Sequence, residues 1–310
     1  MKKFLTQLLL FLIIPLFVFV FNYTIDYRSE GSNFIKNFVQ DINVNDSLNV
    51  YINFPERMVI KERILSQKTS PSVVLGSSRS MLIGKPIGLN VSNFGVSGAL
   101  LKDFKYIYSY LKESNSLIST IYIEISPWLL NTNTKESRYK KFIPPTLTEK
   151  LKTLFSIQYF FDNIKFNKYS IRINSKDYIW YKDGTIKYNE EYTIFDLSKI
   201  KEFHTKEVYL LDGFSDIKNL DIYEFSSFVD EIQSDGIKII FVKHPYPPLI
   251  NDSIISEYPN ILKSEILIDS LALLKKIKIL GSFDSENNKL ENTDFYDGMH
   301  LNPNGIIKLL

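Results

Sequence analysis

Hydrophobic and polar positions along this chain predict strands that alternate with amphipathic helices, the pattern of an α/β protein. Continuous apolar, β-branched runs predict buried parallel strands, and apolar residues at helical spacing predict the helices between them. The predicted strands are 73–75, a short one within 89–98, 119–126, 236–243 and 277–283. The predicted helices are 103–111, 151–161, 220–232 and 264–276, and a further helix is expected to begin near Met81. The expected fold is a sandwich of helices around a parallel sheet.

The N-terminal stretch is almost uninterruptedly apolar from Phe4 to Phe21, after Lys2 and Lys3. A membrane span needs roughly 17–25 such residues. The alternative is a cleaved signal peptide, which has a shorter apolar core and small residues at its cleavage site. Here that region carries bulky side chains, namely Phe17, Phe19, Phe21 and Tyr23. We therefore predict an uncleaved signal-anchor helix in the cell membrane, single-pass, with a cytoplasmic N-terminus and an extracytoplasmic domain.

The pattern divides the chain into three parts. Residues 1–23 form the cytoplasmic tip and anchor, residues 24–70 a stem without predicted chemistry, and residues 71–310 the α/β domain. The strand–helix cadence breaks down at about 131–217, which is too long for an ordinary connection and is interpreted as an insertion that caps the site. Within it, residues 178–188 predict a β-hairpin that turns at Asp183–Gly184.

Composition narrows the classes of function. The 310 residues include 37 basic and 35 acidic side chains without a basic stripe, so no nucleic-acid partner is expected. The chain has no cysteine, which excludes disulfides, thiolate catalysis and cysteine-ligated metals. We expect no cofactor and no metal.

The first predicted strand of the α/β domain ends at Gly76 and is followed by Ser77, Ser78 and Ser80. Ligands and catalytic groups of open α/β sheets gather at the carboxyl ends of the strands. A serine there also lies near the free N–H groups that begin the next helix, and such groups stabilise an oxyanion. The competing interpretation is a strand followed by a turn rich in hydroxyl residues.

The second candidate feature is Asp297 and His300, three residues apart in a loop rich in Gly, Asn and Pro. A carboxylate can orient an imidazole, and a serine nucleophile needs such a base. The alternative is a helix cap beside a surface histidine. The other two histidines are His204 and His244; His244 follows the fourth strand, where it would line a pocket or serve a structural role.

Taken in order, these features resemble the SGNH, or GDSL-like, hydrolase superfamily. The resemblance is carried by Gly76-Ser77-Ser78-Arg79-Ser80, Asn93-Phe94-Gly95-Val96-Ser97-Gly98 and Asp297-Gly298-Met299-His300-Leu301-Asn302. It implies a flavodoxin-like, three-layer α/β/α sandwich. It also implies that Ser78 is the nucleophile, that Asp297 and His300 complete a triad, and that the N–H groups of Ser78 and Gly98 form the oxyanion hole.

Two departures from the family pattern matter. Ser77 stands where the family has Asp, and the third family motif, Gly-x-Asn-Asp, is absent, since Ser126-Pro127-Trp128 follows the third strand. An asparagine donor to the oxyanion is therefore missing unless Asn131 or Asn93 replaces it. Loss of one such donor typically costs about 10²–10³ in rate.

The Gly-Ser-Ser form with an anchor looks like the membrane-tethered branch, which works beside membrane-bound O-acyltransferases in teichoic acid D-alanylation and polysaccharide O-acetylation. The resemblance implies a serine esterase or O-acyltransferase acting on acyl groups of a cell-surface polysaccharide. Its partners would be the glycan or acyl ester, the membrane and a membrane-bound O-acyltransferase. Candidate substrate-binding residues are Arg79, Asn93, His244 and Trp128.

Two other functions stay open at this point. One is a catalytically weak accessory module that binds glycan or a membrane acyltransferase. The other is a nucleotide-binding domain with Gly76–Ser78 as a phosphate loop, although this stretch lacks the Gly-Lys-Ser/Thr ending and the glycine spacing of such loops.

Overall fold

A computed structural model describes residues 2–25, 33–50, 55–114, 117–131, 138–143, 146–169, 178–188, 196–205, 211, 214, 217 and 219–310. The side chains of residues 2–11, 33–34, 162, 165–169, 203–205 and 219–221 lie outside this description. Parts of the predicted insertion and the side chain of His204 are therefore not covered.

The helices and strands are named here in chain order. The helices are α1 (Lys2–Ile25), α2 (Asn33–Asn45), α3 (Glu56–Ser66), α4 (Leu101–Glu113), α5 (Leu147–Leu154), α6 (Ile157–Tyr169), α7 (Leu197–Thr205), α8 (Asn219–Ser234), α9 (Pro248–Glu257), α10 (Asn260–Leu274) and α11 (Pro303–Leu309). The strands are β1 (Ser47–Val50), β2 (Ser72–Leu75), β3 (Ser92–Asn93), β4 (Thr120–Ile125), β5 (Tyr178–Tyr181), β6 (Ile186–Tyr188), β7 (Lys238–Lys243) and β8 (Lys278–Leu280).

A five-stranded parallel sheet forms the centre of the domain, with the strand order β3-β2-β4-β7-β8. Successive side chains of a strand point to opposite faces of a sheet. Val73 and Leu75 accordingly pack in one apolar cluster, whereas Val74 packs in another with Val242 and Leu301. Both faces are covered, so the predicted α/β sandwich with a parallel sheet is confirmed at this level.

The predicted strands and helices of the sandwich are present with small shifts in their ends. The expected helix near Met81 is wrong, because two short 3₁₀ turns, Ser78–Ser80 and Lys85–Ile87, lie between β2 and β3 instead. Gly84 and Gly88 adopt φ of 151° and 75°, and Pro86 lies between them, so an α-helix cannot continue here. The one helix predicted for 151–161 is instead the pair α5 and α6.

A second, antiparallel sheet joins the predicted stem to the predicted insertion. β1 from the stem pairs with β5, and the β5–β6 hairpin turns at Asp183–Gly184 as predicted. Helix α3 buries Val59 and Ile64 in the main core, so the described part of the predicted stem packs on the α/β domain. Arg63 of α3 donates to the carbonyl oxygens of Asn93 (3.2 Å) and Lys182 (2.8 Å), which ties the hairpin to the sheet.

Helix α1 covers the predicted anchor and packs against α5 and α6. Across the part of the chain that the structure describes, no helix has the length and apolar character needed to cross a bilayer. The side chains of residues 1–11, which include the first part of the predicted anchor, lie outside that part. The anchor therefore stays a prediction.

Candidate active site

Three serines follow β2, and the turn gives each a different environment. Ser77 is buried, and its hydroxyl accepts a hydrogen bond from the N–H of Arg79 (3.3 Å). Ser80 is also buried, and its hydroxyl donates to the carbonyl oxygen of Ser77 (2.9 Å). Ser78 alone is only half-buried. The hydroxyls of Ser77 and Ser80 are used in hydrogen bonds within the turn. The Ser78 hydroxyl is therefore the one presented at the carboxyl edge of the sheet.

Ser78, His300 and Asp297 are linked in series at this edge. The Ser78 Oγ lies 2.9 Å from Nε2 of His300, and Nδ1 of His300 lies 2.9 Å from Oδ2 of Asp297. The other Asp297 oxygen accepts the N–H groups of Met299 (2.7 Å) and His300 (2.8 Å), which fixes the carboxylate within its own loop. The carboxylate thereby orients the imidazole with one nitrogen toward the hydroxyl.

The loop after β3 lies against the serine turn, since the N–H of Val96 donates to the carbonyl oxygen of Gly76 (3.0 Å). Gly98, in this loop, has φ of 59°, a conformation that favours glycine. Within the described ranges, neither the N–H of Ser78 nor that of Gly98 has a hydrogen-bond acceptor. Neither group is occupied by a described acceptor, and the oxyanion hole that the resemblance implies stays a prediction.

Helix α3 holds the Gly98 loop, which sequence reasoning missed. The Glu56 carboxylate accepts both the N–H (2.7 Å) and the hydroxyl (2.8 Å) of Ser97. Arg57 donates to the carbonyl oxygen of Ser97 (3.1 Å) and forms a buried ion pair with Asp103 (2.7 Å). Because these partners lie far apart in the chain and form no known motif, no sequence signal pointed to them.

Asn93 does not fill the role that we expected. Its side-chain amide donates to the carbonyl oxygens of Ser80 (2.8 Å) and Ile83 (2.9 Å), and its oxygen accepts the N–H of Gly95 (2.7 Å). Both amide hydrogens are thus used to hold the turn after Ser78. Asn93 is fully buried, and it is a structural residue rather than a substrate ligand or an oxyanion donor.

A buried carboxyl group, that of Glu124, lies near the end of β4. Glu124 accepts hydrogen bonds from the N–H of Ser77 and from the hydroxyl of Ser126, and all three residues are buried. Its carboxyl group therefore supports the serine turn from behind. Only glycine fits at position 76, because a Cβ there would overlap the Ser80 hydroxyl and lie 2.7 Å from the Glu124 Cβ.

Arg79 connects the strand-end loops around the serine. Its Nε donates to the carbonyl oxygen of Met299 (3.1 Å), and one Nη donates to that of Pro245. The guanidinium lies over the rings of Tyr246 (4.9 Å) and Trp128 (5.5 Å). Burial lowers the pKa of Arg79, an effect opposed by Tyr246, Glu124 and Asp297.

Arg79, Trp128 and His244, three of the four candidate substrate-binding residues, thus share one buried cluster with Tyr246. His244 is fully buried, and its pKa lies well below 6.5 because of burial and the nearby charges of Arg79 and His300. Within the described structure, the second Arg79 Nη, the Trp128 Nε1, the Tyr246 hydroxyl and both His244 ring nitrogens have no hydrogen-bond partner. The cluster therefore lies beneath the triad, on its buried side, and contains polar atoms that make no hydrogen bond within the described structure.

The insertion hairpin lies beside the site, and its expected role as a cap stays a prediction. The ring of Tyr188, in β6, lies 5.9 Å from the imidazole of His300, and it also contacts Tyr296 at 5.4 Å. The N–H of Ile186 donates to the carbonyl oxygen of Met81 (2.9 Å), next to the serine turn. The hairpin therefore packs against one side of the His300 ring.

In comparisons with known proteins, no protein-family model, no curated protein and no solved structure matches the chain. Among the residues described, no group of three His, Asp or Glu side chains is placed to hold a metal ion. The chemistry of the site is consequently argued from its own geometry.

Proposed function

We propose that this chain is an SGNH-type serine esterase or O-acyltransferase that acts on acyl groups of a cell-surface polysaccharide. One observation carries the proposal: a half-buried hydroxyl, an imidazole and a carboxylate are linked by two contacts of 2.9 Å at the carboxyl edge of a parallel sheet. This is the constellation that activates serine toward carbonyl groups.

The proposed reaction has two steps. The Ser78 oxygen attacks an ester carbonyl while Nε2 of His300 takes the hydroxyl proton, and Asp297 stabilises the resulting imidazolium. The oxyanion is bound by the N–H groups of Ser78 and Gly98. The C–O bond to the leaving alcohol then breaks, and His300 returns the proton to that alcohol. A glycan hydroxyl or water next attacks the acyl-serine, with His300 again as base, and regenerates Ser78.

The order of the sheet supports this reaction class. Numbered along the chain, its strands are arranged 2-1-3-4-5, the order of flavodoxin-like sheets. The connections leave β2 and β4 in opposite directions, and such a switch point opens a crevice at the carboxyl edge. Ser78 follows β2 and Ser126 follows β4, so the triad lies beside that crevice.

The cellular setting is part of the proposal. The apolar run from Phe4 to Phe21, preceded by Lys2 and Lys3, supports an anchor with the domain outside the cytoplasm. The polysaccharide substrate and a membrane-bound acyltransferase partner rest on the resemblance of the three motifs to the membrane-tethered SGNH branch.

A fluorophosphonate probe tests the proposal, because it reacts with serines that are activated in this way. The full chain should be labelled once, Ser78→Ala should not be labelled, and the exposed substitution Ser109→Ala should leave labelling unchanged. Circular dichroism confirms that each variant is folded. A folded wild-type chain that stays unlabelled would contradict the proposed enzyme.

One observation favours a second candidate, a catalytically weak module that binds glycan or a membrane acyltransferase. After β4 stands Ser126-Pro127-Trp128 in place of the Gly-x-Asn-Asp of the family pattern, and the carboxyl group beside the serine turn, that of Glu124, is an acceptor rather than a donor to an oxyanion. If the folded chain is not labelled yet binds acylated polysaccharide, this accessory role replaces the enzyme.

A further inference from the structure

Helices α5 and α6 carry apolar stripes that the described part of the chain leaves largely exposed. On α5 and its C-terminal end, Leu147, Leu151 and Phe155 recur every four residues. On α6, Ile157, Phe161 and Ile164 follow helical spacing. These six side chains are between 39% and 74% exposed. Such stripes normally face a core or a membrane rather than water.

Helix α5 gives the strongest reason to look for a covering surface. Of its eight residues, only Leu154 is buried. Isolated helices of this length are marginal in water, and the stability of a protein helix comes mostly from covering its apolar face. The polar side of α5 carries Glu149 together with Lys150 and Lys152, all exposed, and the two lysines flank the apolar stripe. An apolar stripe beside lysines is typical of helices that lie at the surface of a bilayer.

The hairpin formed by α5 and α6 is fastened to the second half of α1. The ring of Phe19 lies 4.8 Å from that of Phe155, and the ring of Phe21 lies 4.6 Å from that of Phe160. These contacts fall at the end of the apolar run, which is the extracytoplasmic end in the proposed orientation.

A buried asparagine completes the attachment. The Asn22 amide donates to the carbonyl oxygens of Leu154 (2.8 Å) and Ser156 (3.1 Å) at the corner between α5 and α6. Asn163 donates to the Asn22 oxygen (2.9 Å). This polar residue in an otherwise apolar stretch therefore fixes the hairpin to α1 at one level along the helix.

Lipid is the occupant that the surroundings favour. On α1, five of the six consecutive residues 12–17 are large apolar side chains that are at least half exposed, and at about 100° per residue they span about 200° of the helix circumference: Leu12, Ile13, Ile14, Leu16 and Phe17. A single protein groove covers a narrower side of a helix than this, whereas a bilayer covers every side that the hairpin leaves exposed. The exposed stripes of the hairpin continue this apolar surface.

We propose that the α5–α6 hairpin is a membrane-contacting element. Its apolar stripes lie against acyl chains at the outer interface of the bilayer, and Lys150 and Lys152 face the lipid phosphates. This inference rests on the anchored location in the proposed function and goes beyond it, because it places a part of the insertion, and with it the edge of the active site, at the membrane surface.

The absence of cysteine allows a direct test by single-site labelling. The full chain is reconstituted in vesicles of phosphatidylglycerol and phosphatidylethanolamine that carry nitroxide lipids. An environment-sensitive fluorophore is attached through Leu151→Cys or Phe161→Cys in the hairpin, and through Ile14→Cys in α1. The control is Leu273→Cys on α10, where an equally apolar side chain is 83% exposed far from the hairpin in sequence.

The proposal predicts a blue shift and strong quenching by shallow nitroxide lipids at positions 151 and 161, and neither effect at position 273. Emission at 151 and 161 that matches the control would overturn it. A blue shift without nitroxide quenching would also overturn it and would indicate contact with a second copy or another protein. The label at position 14 decides the anchor separately, since its quenching does not depend on the hairpin.

Discussion

The Nε of Arg79 donates a hydrogen bond to the carbonyl oxygen of Met299 at 3.1 Å. The residue that follows Ser78 therefore holds the backbone that precedes His300. Because a serine and its base must stay within hydrogen-bond distance, this contact sets the relative position of the two loops on which the proposed reaction depends. In the proposed reaction Arg79 is thus a positioning residue, whereas the sequence left it open as a ligand of an anionic group or a charge on a helix surface.

Arg79→Lys should slow fluorophosphonate labelling about 10–100-fold, because an ammonium cannot reach both carbonyl oxygens in the geometry of the guanidinium. The second-order labelling rate is measured at a temperature at which both proteins are fully folded, together with its pH profile. A positioning role lowers the rate at every pH without moving the midpoint of the profile.

The matched control for Arg79 is Lys105→Met, which removes a cation from the exposed pair of Lys105 with Glu224. Exposed pairs contribute little, so both labelling and thermal stability should stay close to those of the wild type. Wild-type labelling by Arg79→Lys would contradict the positioning role.

Glu124→Met and Glu124→Gln separate the hydrogen bonds of Glu124 from its volume. Glutamine keeps an acceptor for the buried N–H of Ser77, whereas methionine fills similar space and leaves that N–H unpaired. A buried unpaired donor costs about 1–3 kcal/mol, so the methionine variant should be the less stable in thermal unfolding by roughly that amount. Equal stability of the two variants would show that Glu124 does not support the turn through these bonds.

His244 should make folding sensitive to acid. Its pKa in the folded protein lies well below 6.5, mainly because of burial, so the unfolded chain binds the proton more readily. Stability is therefore fully present above about pH 6.5 and falls as the pH decreases toward the folded-state pKa, by at most about 1.4 kcal/mol per pH unit.

The measurement for His244 is the free energy of unfolding in denaturant between about pH 5 and 6.5, above the range in which ordinary carboxyl groups titrate. His244→Gln removes the titrating group and should flatten this slope, whatever its effect on absolute stability. An unchanged slope would mean that His244 does not titrate in this way.

The sequence predicted those parts of the fold that depend on local pattern. The structure confirms the strands predicted from continuous apolar runs, which are β2, β4 and β7. It also confirms the helices predicted from apolar residues at helical spacing, which include α4 and α8. The helix expected after β2 failed because Gly84, Pro86 and Gly88 override the apolar triplet that begins at Met81. Local propensity could not reveal that α3 packs in the main core, since that depends on distant partners.

In the candidate site too, features set by neighbouring residues could be predicted, whereas features set by distant partners could not. The Asp-x-x-His spacing places Asp297 against its own histidine, so this half of the site could be inferred from neighbouring residues. The contacts of Glu56 and Arg57 with the Gly98 loop join segments that are far apart in the chain, and no motif marks them. Asn93 was misjudged because an asparagine near glycines suits a ligand site and a turn equally well.

The most direct measurement of the central claim is the position of the acyl group during turnover. The full chain is mixed with p-nitrophenyl acetate, quenched in acid and mapped by peptide mass spectrometry, beside Ser78→Ala and His300→Gln. We expect one acetyl group on the wild-type peptide that contains Ser78 and none on that peptide in either variant. A folded wild-type chain that carries no acetyl group at Ser78, or carries it on another residue, would contradict the proposed serine mechanism.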